Sequence, residues 1–134
     1  MPERAPAAVS DSGAAPVSTM PRIVNNFLHD TCTGAWFGSL IVIWTLWSQG
    51  SAMPPEARAA VALAATRVWW LLLVSLAGLA ITGGIRLRYW RAQAAPEELA
   101  EKRKALISKH VGFLVVYGAG SVWAWWMLSS LAVA

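Results

Sequence analysis

Apolar residues in this chain gather into three long runs separated by short polar stretches, with none of the strict alternation that a half-buried strand would show. The first run, Phe27 to Trp47, reads FLHDTCTGAWFGSLIVIWTLW and is interrupted only by His29 and Asp30. At about 1.5 Å per residue a helix of that length crosses the roughly 30 Å hydrocarbon core of a bilayer. The second run extends from about Val68 to Ile85, and the Ala-rich residues 57 to 66 are expected to lengthen its helix beyond the bilayer. The third extends from about His110 to Val133. Between the first two lies SQGSAMPPEAR, where Pro54 and Pro55 forbid a continuous helix. The polar link 86–109 contains PEELAEKRKAL, which predicts a short interfacial helix beginning at Pro96. Residues 1–22, rich in Ala, Pro and Ser, predict a disordered tail and not a cleavable signal peptide. The expected architecture is an all-α membrane protein in which residues 23–134 form a bundle of three transmembrane helices, spanning about 27–47, 68–85 and 110–133.

Composition supports a membrane address. Of 134 residues 57% are hydrophobic and 13% charged, about half the charged share of an ordinary soluble domain. Cys32 is the only cysteine, which excludes an internal disulfide and a CxxC metal site. The net charge of +4 does not mark a nucleic-acid surface, because the basic residues lie between apolar runs. They mark topology instead. Arg86, Arg88, Arg91, Lys102, Arg103, Lys104 and Lys109 all fall in the link between the second and third runs, whereas the first loop offers Arg58 beside Glu56, with Arg67 at the edge of the helix. The positive-inside rule makes that link cytoplasmic, with the N-terminus inside and the C-terminus outside. The expected location is a bacterial cell (inner) membrane.

The nine tryptophans provide a second ruler. Trp44, Trp47, Trp69, Trp70, Trp123, Trp125 and Trp126 all fall near the outer interface, where an aromatic belt is expected; Trp90 marks the inner interface and Trp36 lies near mid-depth.

Candidate chemistry concentrates in two histidines near the cytoplasmic starts of the first and third helices, which run in the same direction. Fifteen residues separate His29 from Trp44, and fifteen separate His110 from Trp125. Both imidazoles are therefore expected at one depth, about 22 Å below the tryptophan belt. Two neutral imidazoles at one level could hold a haem b iron from opposite faces, given a gap wide enough for the macrocycle. Gly34 and Gly112 leave space near those levels, and Arg86, Arg88, Arg91 and Lys109 could pair with the propionates. A histidine at an interface can equally have no function. Copper is the competing use of His29: Cys32 lies three residues on, and sulfur with imidazole suits Cu(I). Met1, Met20, Met53 and Met127 form no ladder that would complete such a site. Asp30 suits a helix N-terminus, or could orient a histidine or pair with Lys109.

On the first helix His29, Thr33, Trp36 and Leu40 follow one stripe, with Gly34 and Gly38 forming a small-xxx-small pair on the other side. On the third, His110, Leu114, Tyr117 and Ser121 share a stripe beside Gly118 and Gly120, and Tyr117 is a candidate hydrogen-bonding partner for a cofactor.

The segment from His29 through Trp36 to Leu40, HDTCTGAWFGSL, resembles the first-helix pattern of the CopD-like membrane superfamily: a histidine, a tryptophan seven residues later, then a small residue and Leu. Thr82-Gly83 and the stretch from Leu106 to Lys109 resemble its TG and L-x-x-K stretches. That superfamily includes copper-resistance proteins and a small haem-binding protoporphyrinogen oxidase. The resemblance implies a helical bundle, a first-helix histidine ligating haem b, and a functional lysine at the third helix. This chain has three runs where those relatives typically have four or more spans, and it lacks the Arg-rich, His-containing end of the first helix expected in the oxidase.

The expected function is electron transfer by a b-type haem protein within a larger membrane complex, as a subunit and not as a stand-alone enzyme. Its partners would be the lipid bilayer and other membrane or redox subunits, or a second copy of the chain. A non-catalytic accessory subunit and a copper-handling protein are the alternatives.

Overall fold

A computed structural model describes residues 19–50, 52–93 and 96–133, although the side chains of 90–102 and a few others near the helix ends lie outside that description. The described residues form three helices: α1 (Thr19–Gly50), α2 (Pro55–Gln93) and α3 (Pro96–Val133). Two helical stretches, Pro55–Tyr89 and Ile107–Leu131, are long and apolar enough to cross a membrane. α1 has the length but is diluted by His29, Asp30, its threonines and its glycines.

The helices extend well past the apolar runs. α1 starts at Thr19, so residues 19–22 of the expected disordered tail are helical, while residues 1–18 lie outside the described set. Among its described residues the link expected at 86–109 contains no separate interfacial helix. α2 continues through Arg86–Gln93, and α3 begins at Pro96 and runs unbroken into the third apolar run. Helix propagation is cooperative once a turn exists, and Arg, Glu, Lys, Ala and Leu are all good helix formers. Pro96 suits a first helical turn because its missing N–H would have had no intrahelical partner there. The α1–α2 turn closes through Ala52 N–H to Gln49 O and Met53 N–H to Gly50 O, and Arg58 donates to Met53 O at 3.2 Å.

Paired contacts give the directions. Gly50 lies by Val61, Cys32 by Gly78 and Asn26 by Arg86, so α1 and α2 are antiparallel. Trp36 donates to Ser121 and Trp47 to Ser130, so α1 and α3 are parallel. The inward face of α1 runs Asn25, His29, Cys32, Trp36, Ser39, Ile43, Leu46 and Gly50, in steps of four and three residues. α2 answers with Ala65, Val68, Leu72, Ser75, Leu79, Thr82 and Arg86, stepping the same way. A mean spacing of 3.5 residues is the repeat that keeps two helices in contact along a left-handed seam. The α1–α2 interface is accordingly by far the most extensive of the three.

Among its described side chains, α3 buries only those from Tyr117 onward against this hairpin. Ala124, Met127, Leu128 and Leu131 are buried, and Tyr117, Gly120 and Ser121 are half-buried. Every described side chain of α3 before Tyr117 is exposed, Leu114 by 75%. The outside of the bundle is apolar on all three helices, as at Ile41, Val74, Ile81, Val115 and Val122.

Candidate functional site

His29 projects from the inward face of α1 onto α2. Its Nδ1 lies 2.9 Å from Thr82 Oγ1, and a Cβ built on Gly83 would stand 3.8 Å from its Cε1. Thr82 Oγ–H donates back to its own helix, to Gly78 O at 2.7 Å. One helical turn further toward the start of α1, the buried Asn25 donates through Nδ2 to Thr82 O at 3.2 Å. Arg86 donates through Nε to Asn26 Oδ1 at 2.8 Å and places Nη2 3.9 Å from Asp30 Oδ1. Asp30 therefore takes Arg86 as its ion-pair partner. Four residues of α1 and two of α2 thus make one polar node, reached because both seams stay in register to this end of the hairpin.

The two histidines are less closely matched in depth than the tryptophan count suggests. The α1–α3 hydrogen bonds join residues 85 and 83 apart. Continued down the helices, that offset puts residues 112–114 level with His29, and His110 about 3–6 Å nearer the start of α3. His110 is exposed, as are Lys109 and Arg88. Lys109 places Nζ 5.6 Å from the centre of the Phe113 ring, a cation–π distance. Arg86 is drawn into the node, whereas the side chains of Trp90, Arg91, Lys102 and Lys104 lie outside the described residues.

Tyr117 belongs to an aromatic group. Its ring centre is 4.6 Å from that of Trp36, nearly perpendicular to it, and 6.0 and 6.2 Å from those of Phe113 and Phe37. Trp36 is 1% exposed and occupies the space that a side chain at Gly120 would need. Of the belt tryptophans, Trp47 and Trp69 are half-buried and pair across helices with Trp126 and Trp125, both at 5.5 Å.

Cys32 is half-buried against Gly78, where an added Cβ would stand 2.6 Å from Sγ. Among the described residues no group of three or more His, Cys, Asp or Glu side chains could hold a metal ion. Gly34, Gly38 and Gly112 each have open space where a Cβ would be.

His29 stands out in the sequence but its immediate surroundings do not: Asn25, Asn26 and Gly78 carry no motif, and Thr82 is marked only by the TG resemblance. The available signal was the four-and-three spacing of small and polar residues along α2, Ser75, Thr82 and Arg86 falling in line with Leu72 and Leu79. No protein-family model, curated protein or solved structure matches this chain.

Proposed function

We propose that this chain is a three-span protein of a bacterial cell membrane that binds one b-type haem through His29 and takes part in electron transfer within a larger membrane assembly. The lipid environment follows from the apolar exterior. Leucine, isoleucine, valine and tryptophan side chains in such numbers on an outer surface suit hydrocarbon and not water. The hydroxyls agree with it: Thr31, Thr33, Thr45, Thr66 and Ser129 each donate to the carbonyl one turn back, which satisfies them where no water is at hand. α1 completes the third span because its seam with α2 runs from Asn25 to Gly50. The basic residues around α2–α3 orient the link to the cytoplasm.

The observation that carries the haem reading is the open end of the bundle at the His29 level. There the described side chains of α3, His110, Lys109 and Phe113 among them, are exposed, and the imidazole of His29 on α1 is itself only half-buried. The residues fit the group. His29 supplies a nitrogen donor already oriented by a second hydrogen bond, the usual arrangement for a ligating histidine. His110, on the exposed stretch of α3 before Tyr117, supplies the second ligand, and Arg86, Arg88 and Lys109 supply cations for the propionates. Bound haem would supply one-electron chemistry between ferric and ferrous iron. One such group near one face cannot carry an electron across the bilayer, so a partner redox subunit is part of the proposal.

The test is an absorption spectrum of the purified, dithionite-reduced protein. Soret and α bands that are lost in His29→Ala and altered in His110→Ala are expected. A spectrum without them, in the chain and in its host assembly alike, overturns the reading.

A second reading, a non-catalytic accessory subunit, is favoured by the outer face of α1. Gly34 and Gly38 sit there one turn apart with nothing in front of them, which lets a foreign helix approach closely. It predicts loss of assembly in Gly38→Leu with no spectral change on substitution of either histidine.

A further inference from the structure

We infer that Thr82 is a positioning residue that holds His29 in the tautomer protonated on Nδ1, leaving the Nε2 lone pair as the ring's only acceptor. A threonine hydroxyl has one hydrogen and two lone pairs. The Thr82 hydrogen is committed to its own helix, with Gly78 O at 2.7 Å and Leu79 O at 3.3 Å. What Oγ1 offers His29 at 2.9 Å is therefore a lone pair, so the hydrogen in that contact belongs to Nδ1. In water a neutral imidazole prefers the opposite tautomer, protonated on Nε2, so the contact reverses the ring's intrinsic choice.

Three features keep Thr82 in place for this. Its side chain is buried, so water does not compete for Oγ1. Asn25 fixes the Thr82 carbonyl from across the interface. Gly78 and Gly83 flank it on α2; Cys32 of α1 occupies the space that a side chain at Gly78 would fill, and His29 lies within van der Waals reach of a Cβ at Gly83. The threonine is held by its neighbours, and it in turn holds the imidazole.

The consequence for haem rests on the function proposed above; the tautomer does not. A hydrogen bond from Nδ1 makes Nε2 a stronger donor to iron and fixes the plane of the ring. Loss of it is expected to weaken haem binding about 10–100-fold, in keeping with other second-sphere substitutions at metal sites, and to raise the midpoint potential by weakening the ligand.

The primary experiment uses the haem-free full chain in detergent micelles, with ¹⁵N-labelled histidine and His110→Gln to leave one ring signal. At about pH 8 an ordinary imidazole is neutral. Long-range ¹H–¹⁵N correlation is expected to show a protonated Nδ1 and an unprotonated Nε2. Thr82→Val should move the ring to the Nε2-protonated form, and Thr82→Ser, which keeps the hydroxyl, should restore the original. An Nε2-protonated ring in the chain with Thr82 intact overturns the inference with no need of a variant, and so does an unchanged ring in Thr82→Val. In the second arm, haem titration of the corresponding chains with His110 intact should show the affinity loss in Thr82→Val and recovery in Thr82→Ser. If the chain takes up no haem, the function proposed above fails while the tautomer result stands; if it takes up haem with an Nε2-protonated ring in the free chain, the role of Thr82 fails alone.

Discussion

Trp36 of α1 lies directly over Gly120 of α3: a Cβ on that glycine would stand 2.5 Å from Cη2 and 2.9 Å from Cζ2 of the indole. The contact is where α3 leaves the open end and enters the packed half of the bundle, and it fixes how closely the two parallel helices approach. Trp36 is buried and packed by the rings of Tyr117 and Phe37, which leaves it little room to swing aside. Gly120→Ala is expected to destabilise the bundle by about 1–3 kcal/mol, the usual cost of overpacking. Gly112→Ala, on the same helix but facing open space, should be neutral or slightly stabilising, since alanine is the better helix former. Thermal melts of both variants in one detergent check the pair, and equal melting temperatures would remove Gly120 from its assigned role.

Gly78 and Cys32 form the corresponding close approach between α1 and α2. A methyl at Gly78 would meet Sγ at 2.6 Å. Gly78→Ala is expected to lower stability, and Cys32→Ala in the same chain should recover most of the loss by removing the sulfur. The two substitutions must therefore be non-additive; additive shifts in melting temperature would show that the clash is relieved elsewhere.

The polar node should respond unequally to loss of its two Arg86 partners. Asp30 is 76% exposed and 3.9 Å from the guanidinium, and surface pairs of that kind contribute about 0–1 kcal/mol. Asn26 accepts a well-formed bond at 2.8 Å from a charged donor, worth about 1.5–3 kcal/mol. Asn26→Ala should cost more than Asp30→Asn, with the order read from melts at low and high salt. Only the Asp30 effect should shrink in salt.

The proposed orientation puts the α1–α2 turn outside and the start of α3 inside. With Cys32→Ser as background, Met53→Cys should react with an impermeant maleimide in intact cells, and Ala105→Cys only after permeabilisation. The reverse pattern would invert the topology while leaving the fold as described.

How much of this was legible beforehand differs from element to element. The three helices follow from apolar runs at Phe27–Trp47, Val68–Ile85 and His110–Val133, because burying or lipidating that many apolar side chains leaves few alternatives. Their ends do not, since hydropathy reports where lipid is tolerated and helices stop only where the backbone is obstructed. The obstruction lies at Gly50–Pro55 and before Pro96, so α2 and α3 run many residues past their apolar limits. The candidate site divides in the same way. His29 was visible as an ionisable residue in an apolar run, but Thr82 and Asn25 are ordinary polar residues whose roles exist only through the α1–α2 register. The depth of His110 was read from the belt tryptophans, which are several residues wide as a ruler. The bonds of Trp36 and Trp47 to α3 are a finer one.

The half-length attachment of α3 makes it a cantilever. Its far half is clamped at Tyr117–Leu131 by aromatic rings and close-packed small residues, while Ile107 to Val116 extend from that clamp with exposed side chains. A beam held this way transmits small angular changes at its root into larger displacements at its tip. The root is the Trp36–Gly120 contact and the tip carries Lys109 and His110. A single methyl group at the fulcrum is thus magnified into the position of a charge and an imidazole about three turns away.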